Sequence, residues 1–242
     1  MAKTWFVLLK NKYNTQIIKK NILMINNIIF DFDGVIVDSE VLASKAFVKY
    51  FNNLGYSLKE DQFYNYAGNK TVEVINLLSE KYKIEDKEKF TEEIFSIVAE
   101  IYSHDLKLVE GAQEYISNSK RKHFIGSNSN KDRILDGLRF VGLDKLFSKD
   151  QVYSFDMVER PKPHPDVYLK VLNDNSLNIE ETIIIEDSGV GVKAAFSAGV
   201  KVFGITAGKH WHSNRDENEL YENGALKVFN NYESLGKAIE DL

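Results

Sequence analysis

Cysteine is absent from the 242-residue chain, which removes disulfides and thiolate metal or redox chemistry. A reducing, cytoplasmic setting fits that absence. No run is apolar and long enough to cross a bilayer, and residues 5–9 are cut off by Lys10 and Lys12, too soon for a signal-peptide core. Charge of one sign is also scarce. The net charge is −5 with both signs mixed along the chain, which argues against nucleic acid or anionic lipid as a partner. Proline occurs three times, always between positions 161 and 165. The five histidines have no zinc-like spacing. His123 heads a strand and reads as structural, whereas His210-Trp211-His212 reads as a packed surface loop.

What is present is an alternation of buried strands and helices. Apolar runs at 28–30, 123–126, 182–185 and 200–205, with a shorter fifth at 228–229, are rich in Ile, Val and Phe and lack period-two alternation. Such runs suit strands covered on both faces. Helical patterns fill the gaps at 112–119, 131–140, 166–172 and 190–198, several of them stopped by glycine. Strand and helix in turn imply a parallel, doubly wound sheet. One interval differs: from 38 to 108 every pattern is helical, which reads as an all-helical cap inserted after the first strand. The expected organisation is a core of residues 24–37 plus 109–242, a cap of 38–108, and an N-terminal extension of 1–23 that is an appendage or a misassigned start. A monomer is the default expectation.

Polar residues gather where the strands end, the place at which open α/β sheets bind ligands. Asp31-Phe32-Asp33-Gly34 follows the first strand. Strand alternation directs both carboxylates towards one spot, and like charges so close call for a cation, Mg²⁺ for an all-oxygen site. Ser127-Asn128 follows the second run and can grip phosphoryl oxygens. Pro161-Lys162-Pro163-His164-Pro165 holds Lys162 and His164 in what proline geometry suggests is a stiff extended segment. Glu186-Asp187-Ser188-Gly189 closes another buried run with a second acidic pair.

The ordered set Asp31-x-Asp33, Ser127, Lys162 and Glu186-Asp187 resembles the four signature motifs of the haloacid dehalogenase superfamily of phosphotransferases, over essentially residues 25–242. The cap position and the wording DFDGVIVDSE, KPHPD and IIIEDSGVGV are similar to its β-phosphoglucomutase-like branch. The resemblance implies a Rossmann-like core and a Mg²⁺-dependent phosphatase for a small phosphorylated metabolite, a sugar phosphate first. It implies Asp31 as nucleophile and metal ligand, and Asp33 as general acid/base with its backbone carbonyl on the metal. Ser127, Asn128 and Lys162 would hold the phosphoryl group. Asp187 would be a metal ligand, with Glu186 contributing directly or through water.

In the cap, Gly68-Asn69-Lys70-Thr71 matches the branch's substrate-facing loop, making Asn69 and Lys70 candidates for specificity. Ala43 stands where the mutase carries a histidine that links cap closure to proton transfer, which favours hydrolysis over phosphosugar mutase action. A phospho-accepting signalling receiver shares the acidic pair, hydroxyl and lysine, but has no use for a cap.

Overall fold

The computed structural model describes residues 24–66, 71–211 and 215–242. The 1–23 extension, Gly68, Asn69, Lys70 and His212 lie outside the described residues. Strands β1 (Asn27–Phe30), β2 (Lys122–Ser127), β3 (Val152–Ser154), β4 (Thr182–Glu186), β5 (Lys201–Ile205) and β6 (Lys227–Phe229) form one sheet in the order β3-β2-β1-β4-β5-β6. Every neighbouring pair is parallel. The doubly wound α/β class and the helical insertion are as the alternation of apolar runs implies. Strand β3 was not anticipated. Its three residues, Val152-Tyr153-Ser154, are too few to show a pattern, and pairing with β2 makes it a strand.

The pleat divides the core. Ile28, Phe30, Ile125, Ile183, Ile185 and Phe203 pack on one face beneath helices α4 (Ala112–Asn118), α5 (Lys131–Phe140) and α9 (Tyr232–Glu240). Ile29, Phe124, Ile184 and Val202 pack on the other beneath α6 (Asp166–Asp174), α7 (Gly189–Ser197) and α8 (Asn218–Glu222). Neighbouring positions within β1 and β4 thus serve opposite layers, so residues 28–30 and 183–185 of these strands are continuously apolar.

Between β1 and β2 lie α1 (Glu40–Asn53), a 3-10 turn (Glu60–Tyr66), α2 (Thr71–Tyr82) and α3 (Lys87–Asp105). They enclose a third apolar cluster containing Phe47, Phe51, Phe63, Ile75, Leu78, Phe90 and Ile94. The segments leading into and out of this helical unit pair with each other. Asp38 donates its N–H to the Lys107 carbonyl at 2.8 Å, and Val109 donates to Ile36 at 3.0 Å. Among the described residues, no helix is long and apolar enough to cross a membrane.

The winding direction reverses between β1 and β4, which opens a crevice beyond their carboxyl ends. The register pairs Phe30 with Ile185 and with Ile125, so Asp31, just past β1, comes level with Glu186 at the end of β4 and lies near Ser127 at the end of β2.

Candidate active site

Asp31 leaves β1 with its N–H still bonded to the Ile185 carbonyl at 2.9 Å, which fixes its backbone against β4. Its carboxylate, that of Glu186 and that of Asp187 are all buried, and each offers an oxygen within 4.8 Å of the others. Two unit charges at that separation repel by about 3 to 4 kcal/mol at an effective dielectric of 20. Lys162, itself 4 % exposed, bridges two of them: its Nζ donates to Asp31 Oδ1 at 2.7 Å and to Glu186 Oε1 at 2.6 Å. Burial works to lower the Lys162 ammonium, but Asp31 and Glu186 outweigh it and hold the pKa above its ordinary value.

Glu186 is the most heavily bonded of the three. Besides Lys162, its Oε1 accepts from the Tyr168 hydroxyl at 2.7 Å. Its Oε2 accepts the Asp187 N–H at 3.0 Å and the Ser188 hydroxyl at 3.2 Å. A Cβ on Gly191 would collide with this carboxylate, so α7 comes this close only with glycine there. Burial, then Glu186, push the Tyr168 hydroxyl well above its usual pKa, so it stays a donor.

Asp31 and Asp187 have fewer partners, and both carboxyls are pushed well above the usual range, by burial first and then by the neighbouring carboxylates. Lys162 and, at Asp187, Arg215 lower these carboxyls without outweighing that rise, which is the condition of a hard-oxygen site with excess negative charge. The donor set fits a divalent cation of the Mg²⁺ type.

Asp33 behaves differently from the strand-alternation expectation. Beyond Phe30 the chain abandons strand geometry: Asp33 forms an isolated bridge with Val37, and Gly34 has φ 80°. Its carboxylate therefore does not join the other three. Oδ1 accepts from Ser39 Oγ at 2.5 Å and from Arg133 at 2.8 Å, and Oδ2 accepts from Ser129 Oγ at 2.5 Å. A Cβ on Gly34 would strike the Asp187 carboxylate and the His210 ring, so glycine is needed there for space as well as for conformation.

Ser127 is buried and lines the cavity, its hydroxyl accepting the Ser129 N–H at 2.9 Å. The Asn128 side chain is spent on the lysine loop. Its Oδ1 accepts the Lys162 N–H at 2.9 Å while its amide donates to the Lys162 carbonyl at 3.2 Å. The expected extended segment around Lys162 is in fact a turn, closed by His164 N–H to the Pro161 carbonyl at 3.0 Å. Proline presets tight turns as readily as extended chain, and the Asn128 clamp selects the turn.

His210 also corrects the sequence reading, which placed it on the surface. It is 2 % exposed, and its Nε2 lies 2.8 Å from Asp187 Oδ2, though off hydrogen-bond alignment. Burial above all drops its imidazole to about 4, so it stands neutral beside Asp187 at pH 7. Ser39, Ser129, Arg133, Tyr168 and His210 are the site residues that motif reading missed. For Arg133 a signal existed: it sits in the first turn of the helix capped by Asn130, directly after the Ser127 loop.

These groups form the floor of a cavity of about 660 Å³. Its opposite wall is mainly apolar and comes from the helical insertion, with Ala43, Phe47, Phe95 and Val98 among the lining residues.

A family model described as haloacid dehalogenase-like hydrolase matches residues 28–205. A phosphorylated carbohydrates phosphatase of Thermotoga maritima is 31% identical over 206 residues, spanning 83% of this chain and 92% of that protein. A 6-phosphogluconate phosphatase of Escherichia coli is 28% identical over 77% of this chain and 85% of its own. Among solved structures, a haloacid dehalogenase family hydrolase from Deinococcus radiodurans, with bound phosphate and sodium, is similar at TM-score 0.76 and 25% identity, covering 90% of this chain and 96% of that one. Strand ends, buried carboxylates and sequence matches agree, and this chain belongs to the haloacid dehalogenase-like hydrolase family.

Proposed function

We propose that this chain is a Mg²⁺-dependent phosphatase that hydrolyses a small phosphorylated metabolite, a sugar phosphate first, through an aspartyl-phosphate on Asp31. The observation that carries this reading is the buried lysine shared between Asp31 and Glu186, with Asp187 beside them and the charge still uncompensated. Asp31 and Asp187 would hold the ion through their carboxylates and Asp33 through its backbone carbonyl, while Glu186 serves mainly to anchor Lys162. When bound, Mg²⁺ supplies the positive charge that lets a phosphate dianion approach these carboxylates.

The residues then divide the work. The Asp31 carboxylate attacks phosphorus, forming one P–O bond as the bond to the leaving oxygen breaks, which splits one slow hydrolysis into two easier steps. Lys162 holds an equatorial oxygen and offsets charge that grows in the transition state, and the Ser127 hydroxyl donates to another. Asp33 delivers a proton to the departing alkoxide, then takes one from the water that hydrolyses the aspartyl-phosphate. Asn128 keeps the Lys162 loop in place. Ala43, which lines the cavity, offers no acid or base of its own, and this favours hydrolysis over mutase action.

Relatives described as phosphatases of phosphorylated carbohydrates and of 6-phosphogluconate support a sugar phosphate as the first class to test. Inorganic phosphate release from a panel of phosphorylated metabolites, with and without Mg²⁺, provides that test. Release that needs both the ion and Asp31 is expected. Interconversion of glucose phosphates without phosphate release would favour the mutase, and turnover unaffected by chelation would overturn the reading.

A further inference from the structure

We propose that Arg133 is a positioning residue for the Asp33 carboxyl, and that it fastens this carboxyl to the helical insertion through Tyr102. The inference rests on the phosphatase reading, in which Asp33 delivers the proton to the leaving group. Three donors fix the carboxyl, and they come from three separate segments. Ser39 precedes α1, Ser129 lies in the loop after β2, and Arg133 stands in the first turn of α5. The two hydroxyls are short and follow their backbones. The arginine is long, and an unbraced arginine at a partly exposed site would contribute little.

Arg133 is braced. Its guanidinium carbon lies 4.7 Å from the centre of the Tyr102 ring, the geometry of a cation–π contact. Tyr102 belongs to α3 of the insertion and is itself 6 % exposed, wedged edge-on against Phe140 and against Gly137, where a Cβ would stand 2.5 Å from the tyrosine hydroxyl. A fixed ring fixes the guanidinium plane, and that plane sets the direction of Asp33 Oδ1. The carboxyl of the core is thereby held by a contact that the insertion completes. Both Arg133 and Tyr102 line the same cavity as Asp31 and Lys162, so the brace stands at the substrate's side of the acid.

A misplaced acid harms only those reactions that need its proton. The test therefore compares kcat/KM, which reports the steps up to departure of the leaving group, for two esters in the presence of Mg²⁺. One is 4-nitrophenyl phosphate, whose phenolate leaves without a proton. The other is the sugar phosphate that the wild-type enzyme turns over fastest. Arg133→Gln is expected to lower kcat/KM for the sugar phosphate on the order of 10²-fold, the lower end of what general acid catalysis contributes, and to change the aryl ester by no more than about 3-fold. Arg133→Lys, which keeps the charge without the fork, is expected to fall between, and it serves as the second variant if the glutamine protein folds poorly. Equal losses on both esters, or no loss on either, would overturn the inference while leaving the phosphatase reading intact. A wild-type protein inactive on every ester would defeat that reading and this inference together.

Discussion

Two buried regions face each other across the cavity and are built on opposite terms. The helical insertion is closed by aromatic rings: Phe51 alone lies 4.3 Å from the Tyr82 ring centre and 5.8 Å from that of Phe90. The buried Ser79 hydroxyl is bonded to the Ile75 carbonyl, and burial of the rings lowers free energy outright. The floor at the strand ends gathers three buried carboxylates, two of them bonded to one lysine, and like charges buried so close together cost stability. Stability and chemistry are thus separated in space. The strained floor is tolerated because the layers beneath the sheet and the insertion above are apolar.

Substitutions can break that comparison. The largest effect belongs to the floor: Asp31→Asn is expected to abolish phosphate release, and Lys162→Ala to lower it on the order of 10²-fold or more. Near-wild-type turnover in either variant would remove the assigned roles. The opposite pattern is expected in the insertion, where Phe51→Ala, at a fully buried position, should cost about 3 to 5 kcal/mol in denaturant unfolding. A loss below about 1 kcal/mol would mean that the aromatic cluster is not what holds the insertion together.

A smaller effect tests the floor as a site of stored strain. The Asp187 carboxyl, raised by burial and then by Glu186, binds a proton more tightly when folded than when unfolded. Its unfavourable contribution is therefore absent in acid and grows as pH rises towards the raised pKa. Without divalent cations, Asp187→Asn is expected to be more stable than the wild type at neutral pH by at least about 1 kcal/mol, with the gap closing as pH falls towards 4. A variant that is less stable at every pH would show that the carboxylate is satisfied as it stands.

The smallest effect lies away from the cavity. His123 is buried against the Phe30 ring, and burial followed by Arg121 lowers its imidazole to about 4. A depressed folded pKa means that stability is present above about 6.5 and is lost as pH falls through that value towards 4. His123→Phe should flatten this part of the acid unfolding curve, and an unchanged curve would place the loss elsewhere.

Part of the floor was legible because Asp31, Ser127, Glu186 and Asp187 stand where runs of Ile, Val or Phe end, and such runs announce both a buried strand and its end. Their position comes from those runs, and their expected roles come from the family resemblance of the ordered set. What stayed hidden depends on side chains that return from elsewhere. Nothing in the string DFDGV shows that the chain leaves strand geometry after Phe30 and turns Asp33 towards α5, because the partners Ser129 and Arg133 are some hundred positions away. His210 looked like a surface residue because histidine in a glycine-flanked loop carries no pattern. Only the approach of that loop to Gly34 and Asp187 buries it. Strand β3 went unseen for a simpler reason, since three residues contain no periodicity.

Calorimetric titration of the metal-free protein with Mg²⁺ tests the central claim most directly. One ion per chain is expected to bind, with binding lost in the Asp31→Asn, Asp187→Asn double variant and retained in Phe51→Ala. Absence of binding in the wild type, or undiminished binding in the double variant, would contradict a cation site built from these carboxylates.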